Sequence, residues 1–391
     1  MENTKKNTGK GTKLIHIADL HLGKRVHGFS MAEDQRHILN EIVGVIRAEE
    51  PDALLIAGDV FDKAQPSEEA VTMFGDFLTE VSGLGCPVYA VAGNHDSGAR
   101  LAYCGDLLEK SEVHIAGAFA GRAVRHDVED AYGRLSIWLL PYFRTSEVRA
   151  ASGEDIRSYA EAMSWILAES GVDPAERNVL VAHQFFTAGS PPKLSESEDQ
   201  RPEVGGLSDI PASLLDPFDY VALGHLHIPQ RVGRDSVRYS GSPLKYSASE
   251  AGTPKSVTVV EVRGKGDVSI SAVPLTPLRD VRVATGTVEQ IVAAAPKEGP
   301  EREDYMFVRL TEYPSSGVDE VYRAYPNTMG IEILGKDGAG HTSDVKIEAV
   351  ENKSLGELFS EFYLEMTGDE MDAYQLGVLR GCLEANGGDA E

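Results

Sequence analysis

The fold of this chain is set by the stretch ALLIAGDVFD, residues 53–62. Its first five residues are apolar and lie between Pro51 and Gly58, and a run of this length between turn-forming residues predicts a buried strand. Asp59 follows the carboxyl end of that strand, the edge at which ligands bind in sheets with helical crossovers. A carboxylate placed there is either a candidate bridge between two metal ions or an aspartate that opens a turn.

The composition is that of a globular protein large enough for two or three domains, with 391 residues, 42% hydrophobic and 25% charged. No apolar run approaches the roughly 20 residues of a membrane span, and the polar, basic start has no apolar signal-peptide core. The scattered Cys86, Cys104 and Cys382 suit neither a disulfide framework nor a zinc site. We therefore predict a cytoplasmic protein without a membrane partner, with a flexible tail over residues 1–12.

The net charge is −25, from 37 Lys and Arg against 62 Asp and Glu. So acidic a surface repels a polyanion over most of its area, which argues against a simple DNA-binding protein. If nucleic acid is the substrate, metal ions, a local basic patch or a partner must supply the attraction.

Polar residues follow several predicted strands. Residues 13–18 predict the first strand, which is followed by Asp19 and His21, two side chains that an extended chain directs to one side. A helix over 30–49 completes a βαβ unit, and a capped helix over 67–81 leads to a strand over 86–92. That strand ends in Asn94, His95 and Asp96, where His95 is a candidate ligand or proton donor, and residues 98–109 predict another helix.

Two later strands also end in histidine. Residues 178–182 precede His183, and residues 220–223 precede His225 and His227, which again share one side of the chain. A His-x-His pair alone is weak evidence, but it gains weight beside the other strand-ending motifs. The long loop over 184–211 is functional or disordered. Residues 237–239 and 257–262 predict antiparallel strands around a Ser-Gly-Ser-Pro turn.

Beyond residue 276 the pattern changes. Strand, helix and strand are predicted over 305–310, 318–325 and 329–334, and two amphipathic helices over 354–367 and 371–384. The first amphipathic helix has an apolar stripe of Leu355, Leu358, Phe359, Phe362, Tyr363 and Met366. The stripe packs on its own domain or binds a partner.

The strand-ending residues form one candidate ligand set: Asp19, His21, Asp59, Asn94, His183, His225 and His227. Carboxylate and imidazole together suit manganese, iron or zinc better than magnesium alone. The set is too large for one ion and suits two that share Asp59. Two such ions promote in-line hydrolysis of a phosphoester; His95 is placed to protonate the leaving oxygen, and Asp96 to orient His95.

These motifs, D-x-H, G-D-x-x-D, G-N-H-D, a strand-ending H and G-H-x-H in that order, resemble the calcineurin-like metallophosphoesterase superfamily. The resemblance implies an α/β fold, a two-sheet sandwich flanked by helices. It also implies that one ion is held by Asp19, His21, Asp59 and His227, and the other by Asp59, Asn94, His183 and His225.

A narrower resemblance covers almost the whole chain. The segments HIADLHLGKRVHGFSMAEDQRHIL, GDVFDKAQPS, GNHDSGARL, FDYVALGHLHIPQ, GSPLKYSASE and SLGELFSEFYLEMTGDEM are similar to the SbcD family, nuclease subunits of bacterial SbcCD complexes. That family implies a manganese-dependent double-strand exonuclease and single-strand or hairpin endonuclease in DNA repair, replication and recombination.

The same resemblance implies a domain plan. A nuclease domain over 13–276 precedes a small α/β capping domain over 277–345, which covers DNA, and C-terminal helices over 346–391, which dock on an SbcC-type ATPase. Helices 67–81 and 98–109 pair two subunits into a homodimer. Because the chain has no G-x-x-x-x-G-K-[ST] loop, any ATP dependence comes from the partner.

Two alternatives remain at this point. One is a phosphodiesterase or phosphatase of the same superfamily that acts on a small molecule, against which the capping domain and terminal helices argue. The other is a non-catalytic adaptor, against which the complete ligand set argues.

Overall fold

The computed structural model describes residues 10–190, 192–198, 209–314, 317–334, 356, 359–360, 363–364 and 370–385, and for residues 381–385 it describes only the backbone. The chain forms two compact units, 1–281 and 282–391. The change in sequence pattern predicted this boundary after residue 276.

The first unit contains most of the strands and helices. Its strands are β1 (Thr12–Ile17), β2 (Arg25–Val26), β3 (Phe29–Ser30), β4 (Ala53–Ala57), β5 (Val88–Val91), β6 (Val113–Ala116), β7 (Val124–Asp130), β8 (Gly133–Leu140), β9 (Arg177–His183), β10 (Phe186–Thr187), β11 (Ile210–Pro211), β12 (Tyr220–Gly224), β13 (Gln230–Val232), β14 (Arg234–Tyr239), β15 (Ser256–Val262) and β16 (Val268–Pro274). Its helices are α1 (Ala32–Glu49), α2 (Glu68–Gly83), α3 (Gly98–Leu101), α4 (Gly105–Leu108), α5 (Thr145–Ser152) and α6 (Tyr159–Ser170).

Two six-stranded sheets dominate this unit. The first has the order β16-β15-β1-β4-β5-β6, in which β1, β4, β5 and β6 are parallel and β15 and β16 are antiparallel. The second has the order β13-β14-β12-β9-β8-β7, with a parallel centre of β14, β12, β9 and β8 and antiparallel edges. The predicted two-sheet α/β sandwich flanked by helices is therefore confirmed.

The core between the sheets is a single cluster to which both contribute, including Leu14 and Leu55 from the first sheet and Ile137, Val181 and Tyr220 from the second. Because side chains alternate along a strand, the residues between these face outward. On the second sheet that outer face packs with α5 and α6 in another apolar cluster. Beside the first sheet, α1 and α2 bury the apolar faces that their periodicity predicted.

Helix boundaries follow local signals where capping residues are present. The Ser67 side chain accepts a hydrogen bond from the Ala70 N–H at 3.2 Å and begins α2, as predicted. The single helix predicted over 98–109 is wrong. It is divided into α3 and α4 because Cys104 takes a left-handed backbone conformation, with φ of 60°, that a continuous helix cannot contain.

The predicted pairing of residues 237–239 and 257–262 is also corrected. The first segment belongs to β14, which extends the second sheet parallel to β12. The second segment belongs to β15, which pairs antiparallel with β1 in the first sheet. The Ser-Gly-Ser-Pro segment between them thus carries the chain from one sheet to the other.

The second unit has a small sheet with the order β17-β18-β19 and a core of its own. Its elements are β17 (Val281–Gly286), α7 (Val288–Ala293), β18 (Tyr305–Leu310), α8 (Val318–Ala324), β19 (Thr328–Ile333) and α9 (Ala373–Ala385). The predicted strand–helix–strand is present, whereas β17 and α7 had no sequence prediction. The stretch 335–344 and most of the predicted helix 354–367 lie outside the described residues. Among the helices that the structure describes, none has the length and apolar composition needed to cross a membrane.

Candidate dinuclear metal centre

The candidate ligands meet where the central parallel strands of both sheets end. Asp19 and His21 follow β1, Asp59 follows β4, Asn94 follows β5, His183 ends β9, and His225 and His227 follow β12. Carboxyl ends of parallel strands share one edge of a sheet, and here the edges of two sheets lie side by side.

Glycine permits the close approach of these strand ends, both within the first sheet and between the two sheets. A Cβ at Gly224 would lie 1.9 Å from the Ala57 carbonyl oxygen, and one at Gly93 would lie 2.1 Å from Asp59 Oδ1. Real Cβ atoms do not approach other atoms so closely, so neither position accepts a side chain without movement of the backbone. The glycines that begin the G-N-H-D and G-H-x-H motifs are therefore part of the site's geometry.

Several candidate ligands have a strained backbone. The φ angles of Asp19, His21, Asp59 and His225 are 55°, 46°, 48° and 104°. Such conformations of non-glycine residues cost about 1–3 kcal/mol each and persist only where surrounding contacts enforce them. Here the Asp19 N–H donates to the Gly58 carbonyl and the His21 N–H to the Asp59 carbonyl, both at 3.0 Å. The bends direct the side chains into one place.

The first group of donors contains Asp19, His21 and His227, whose ligand atoms lie within 4.8 Å of one another. Nε2 of His21 is 3.0 Å from Nε2 of His227. Two imidazole nitrogens at this distance share one proton, or both bind a cation. The buried Asp19 Oδ2 has no hydrogen-bond partner, so this group fits a metal ion.

The second group contains Asp59, Asn94, His183 and His225. Nε2 of His183 is 3.0 Å from Asn94 Oδ1 and 3.2 Å from Asp59 Oδ2, and Nδ1 of His225 is 3.0 Å from the same Asn94 oxygen. Nδ1 of His183 lies 2.8 Å from the Ala57 carbonyl oxygen, to which it donates, and this leaves Nε2 as the ligand atom.

Asp59 reaches both groups through one atom. Its Oδ2 is 3.2 Å from Nε2 of His183 and 3.7 Å from Nε2 of His21. Its other oxygen accepts the His95 N–H at 2.9 Å, which holds the carboxylate in place. All the predicted ligands therefore converge, with Asp59 at the centre.

The buried charges also fit a cation. Burial alone would raise the pKa of Asp59, but the neighbouring His183 outweighs it and holds the pKa of Asp59 below its usual range. Burial lowers the pKa of His183, but Asp59 and Asp19 outweigh it and raise that pKa to about 9. A proton on His183 thus balances the charge of Asp59. A divalent ion supplies positive charge in place of that proton and displaces it.

His95 lies beside this centre with its ring partly exposed. Its Nδ1 is 3.0 Å from the Asp62 carbonyl oxygen, and its Nε2 is 3.9 Å from Asp59 Oδ2. Nδ1 therefore faces the protein, and Nε2 faces the candidate ligands. This is the orientation that a proton donor to a bound substrate needs.

Asp96 has a different position from the one predicted. Its carboxylate accepts the backbone N–H groups of Val60, Phe61 and Gly93 at 3.1, 2.9 and 2.9 Å. Burial, together with the nearby Asp59, raises the pKa of Asp96 to about 6. These contacts hold Asp96 against the backbone of the two loops that carry candidate ligands, and His95 Nδ1 contacts the Asp62 carbonyl oxygen.

Sequence reasoning missed the residues behind His227. Ser197 Oγ lies 2.6 Å from Nδ1 of His227, and the Glu198 carboxylate accepts the His227 N–H at 2.9 Å. Glu250 and Lys255 form a buried ion pair next to Ser197. The long polar loop and the segment GSPLKYSASE were the available signals, but neither predicts this contact.

The sequence matches the family model described as calcineurin-like phosphoesterase over residues 12–229, which contain all the candidate ligands. The chain is 28% identical over 377 residues to the SbcD subunit of the nuclease SbcCD from Staphylococcus saprophyticus, covering 93% of this chain and 95% of that one. It is 29% identical over 380 residues to the protein of the same name from Staphylococcus epidermidis, covering 95% and 98%. A solved dimetal phosphatase from Danio rerio aligns with 13% identity and a TM-score of 0.41, covering 68% of this chain and 98% of that chain.

Proposed function

The chain belongs to the calcineurin-like phosphoesterase family, and from this premise we propose that it is the nuclease subunit of an SbcCD-type complex. It hydrolyses the phosphodiesters of DNA, as an exonuclease on double strands and an endonuclease on single strands and hairpins, in DNA repair, replication and recombination. The observation that carries the proposal is the position of Asp59 between two groups of donors. Similarity to nuclease subunits along nearly the whole chain supports the choice of DNA.

Two divalent ions would each be held by one group of donors, and Asp59 would contribute to both groups. Asp19, His21 and His227 would hold one ion, and Asn94, His183 and His225 would hold the other. When bound, the ions supply Lewis-acid catalysis to the phosphodiester and its attacking water. Manganese is the first choice because the donors combine hard carboxylate with borderline imidazole.

The protein side chains supply the remaining chemistry. Nε2 of His95 donates a proton to the departing oxygen, while the Asp62 carbonyl holds Nδ1 and so fixes the direction of the ring. Asp96 keeps the loops after β4 and β5 together through its three backbone contacts. Both loops carry candidate ligands, so the distance between His95 and Asp59 depends on Asp96.

The proposed partners are DNA, an SbcC-type ATPase bound by the C-terminal helices, and a second copy of the chain. The net charge of −25 supports the need for metal ions and the ATPase in binding DNA. The proposed location is the cytoplasm.

For the homodimer, most apolar residues of α2, such as Phe74 and Phe77, are buried within their own unit. The exposed Tyr103 and Leu107, between residues 98 and 109, are the better candidates for pairing. A solution mass of one chain at micromolar concentration would contradict pairing.

The proposal is tested with end-labelled duplex and hairpin DNA and manganese, with and without the ATPase partner. We expect cleavage by the wild-type protein and none by Asp59→Ala. A chromogenic small phosphodiester tests the alternative of a small-molecule enzyme. Turnover of that compound without cleavage of either DNA would overturn the nuclease assignment, and cleavage of neither would favour an adaptor.

A further inference from the structure

A short segment, residues 192–198, lies behind the candidate ligand His227. Ser197 Oγ is 2.6 Å from His227 Nδ1 and also 2.6 Å from Glu250 Oε1. The other ring nitrogen of His227, Nε2, faces the metal-binding side and lies 3.0 Å from Nε2 of His21. Ser197 therefore links the Glu250 carboxylate to Nδ1 of His227, the ring nitrogen that faces away from the metal-binding side.

The directions of these hydrogen bonds follow from a proton count. A serine hydroxyl has one proton to donate and lone pairs with which to accept. The Glu250 carboxylate is paired with the Lys255 ammonium, 2.6 Å away, and so remains ionised and only accepts. Ser197 thus donates its proton to Glu250, and the His227 Nδ1–H donates to Ser197. His227 is then the tautomer whose Nε2 carries a lone pair.

The same residues also hold the backbone of His227. The Lys255 ammonium donates to the His227 carbonyl at 2.8 Å, and Glu198 accepts the His227 N–H at 2.9 Å. Glu250 is fully buried, and besides Ser197 and Lys255 it accepts hydrogen bonds from the hydroxyls of Ser195 and Ser247, each at 3.0 Å. A charged group so completely surrounded keeps a defined position, since any displacement leaves a buried charge without its partners.

We propose that Ser197 and Glu250 are positioning residues that set the tautomer of His227 and so determine the affinity for one of the two metal ions. The inference rests on the proposed function, because it assumes that His227 is a metal ligand. The inference also assigns a role to the segment 192–198. The contact of this segment with the second sheet affects the binding of the ion held by Asp19, His21 and His227.

The physical consequence of removing the Ser197 hydroxyl is specific. Nδ1 of His227 loses its acceptor, so the proton is free to move to Nε2, where it competes with the metal ion. Loss of such an outer partner of a histidine ligand costs about 10–100-fold in metal affinity. The second ion, held by Asn94, His183 and His225, has no contact with Ser197 and keeps its affinity.

The experiment is calorimetric titration of manganese into the metal-free full chain, with Ser197→Ala, Ser197→Thr and the control Ser249→Ala. Ser249 Oγ accepts the N–H of Glu196 at 2.9 Å, so the control removes a contact to the segment 192–198 that does not involve His227. We expect Ser197→Ala to weaken one ion by about 10–100-fold, with Ser197→Thr and Ser249→Ala close to wild type. Wild-type affinity for both ions in Ser197→Ala, or equal weakening in Ser249→Ala, would overturn the inference.

A second measurement needs no variant. Nitrogen-15 NMR of the wild-type, metal-free protein reports which ring nitrogen of each histidine carries the proton. We expect the Nδ1–H tautomer at His227, and the Nε2–H tautomer would overturn the inference. Failure of the wild type to bind manganese or cleave DNA would instead refute the proposed function, so the two failures are distinguishable.

Discussion

At the scale of the residue, the carboxylate of Asp59 lies between donors that come from both sheets. Its Oδ2 contacts His183, at the end of a strand of the second sheet, and approaches His21, after a strand of the first. Loss of this one atom therefore affects both metal positions.

We predict that Asp59→Ala abolishes binding of both ions. The variant removes the donor shared by both groups together with one of the two carboxylates that attract the cations, and leaves three donors in each group. Elemental analysis of the dialysed protein measures the outcome, and Asp76→Ala, an exposed carboxylate on α2, is the control. Two ions per chain in Asp59→Ala would exclude a bridging role.

For His95 we expect a different outcome from that of Asp59→Ala, because the proposed role of His95 is proton donation. We predict that His95→Asn keeps both ions and loses about 10²–10⁴-fold in turnover, the usual contribution of general acid catalysis. Metal analysis and DNA cleavage are measured on the same preparation. If the variant loses an ion, His95 is a ligand, as its place near His21 and Asp59 also allows.

At the scale of the element, the strand ends that carry the ligands are packed against each other through backbone. β12 ends at Gly224, and the space for its Cβ is occupied by the Ala57 carbonyl oxygen of β4. The two sheets therefore approach each other through backbone atoms at the edge where the site is built.

We predict opposite effects for two glycine substitutions. Gly224→Ala forces the ends of β4 and β12 apart and lowers the free energy of unfolding by about 1–3 kcal/mol, as overpacking does. Gly75→Ala, at an open helical position of α2 with nothing near its Cβ, raises it by about 0.5–1 kcal/mol. Urea unfolding curves of both variants measure this difference, and equal midpoints would contradict close packing at Gly224.

Asp130, the last residue of the edge strand β7, forms hydrogen bonds to strands of both sheets. Its carboxylate accepts from Thr12 Oγ1 of β1 at 2.6 Å and from Arg177 Nη1 and Nη2 of β9 at 2.8 and 2.6 Å. Burial raises the pKa of Asp130, but the bonds to Arg177 and Thr12 outweigh it and hold the pKa below its usual range.

This depressed pKa predicts a pH dependence of stability. A carboxyl whose pKa is lower in the folded state stabilises the fold above its unfolded pKa of about 4, and the gain is lost as pH falls toward the folded pKa. Asp130→Asn should therefore lower the free energy of unfolding by about 1–3 kcal/mol at pH 7, with a smaller difference from wild type below pH 4. Urea titrations at several pH values measure this, and a difference independent of pH would contradict the assignment.

At the scale of the whole molecule, the chain joins a metal-binding unit to a second unit with its own small core. Its large negative charge leaves much of the attraction for DNA to be supplied from outside the chain. The proposed ATPase contact on the C-terminal helices provides such a source. In the apolar stripe that we predict makes this contact, Phe359 is 45% exposed. Phe362 lies outside the described residues.

We predict that Phe359→Ala combined with Phe362→Ala weakens binding of the ATPase by at least about 30-fold, since truncating such an anchor costs about 2 kcal/mol or more. Manganese-dependent cleavage of short single-stranded DNA by the isolated chain should persist, because the ligands belong to the first unit. Tyr322→Ala, an exposed aromatic residue on α8, is the control. Normal binding by the double variant refutes the prediction, and its unfolding identifies the stripe as internal core.

Local patterns in the sequence were enough to predict the central strands, their order along the chain and the identity of the candidate ligands. An apolar run that ends in glycine predicts both a buried strand and the place where its last polar residues emerge. Asp59, His183 and His225 could be assigned to one edge in this way, since parallel strands have a common direction. The start of α2 at its serine cap is equally local.

Which side chains touch depends instead on the tertiary structure. Ser197 meets Glu250, Asp130 meets Thr12, and Asp96 meets Val60 through contacts that join residues far apart in the chain. No periodicity records such pairs, because each depends on how two sheets and their loops pack. The break at Cys104 has the same origin in backbone conformation, which the residue type does not specify. Packing between distant segments therefore determines how the ligands are held, while local sequence determines what they are.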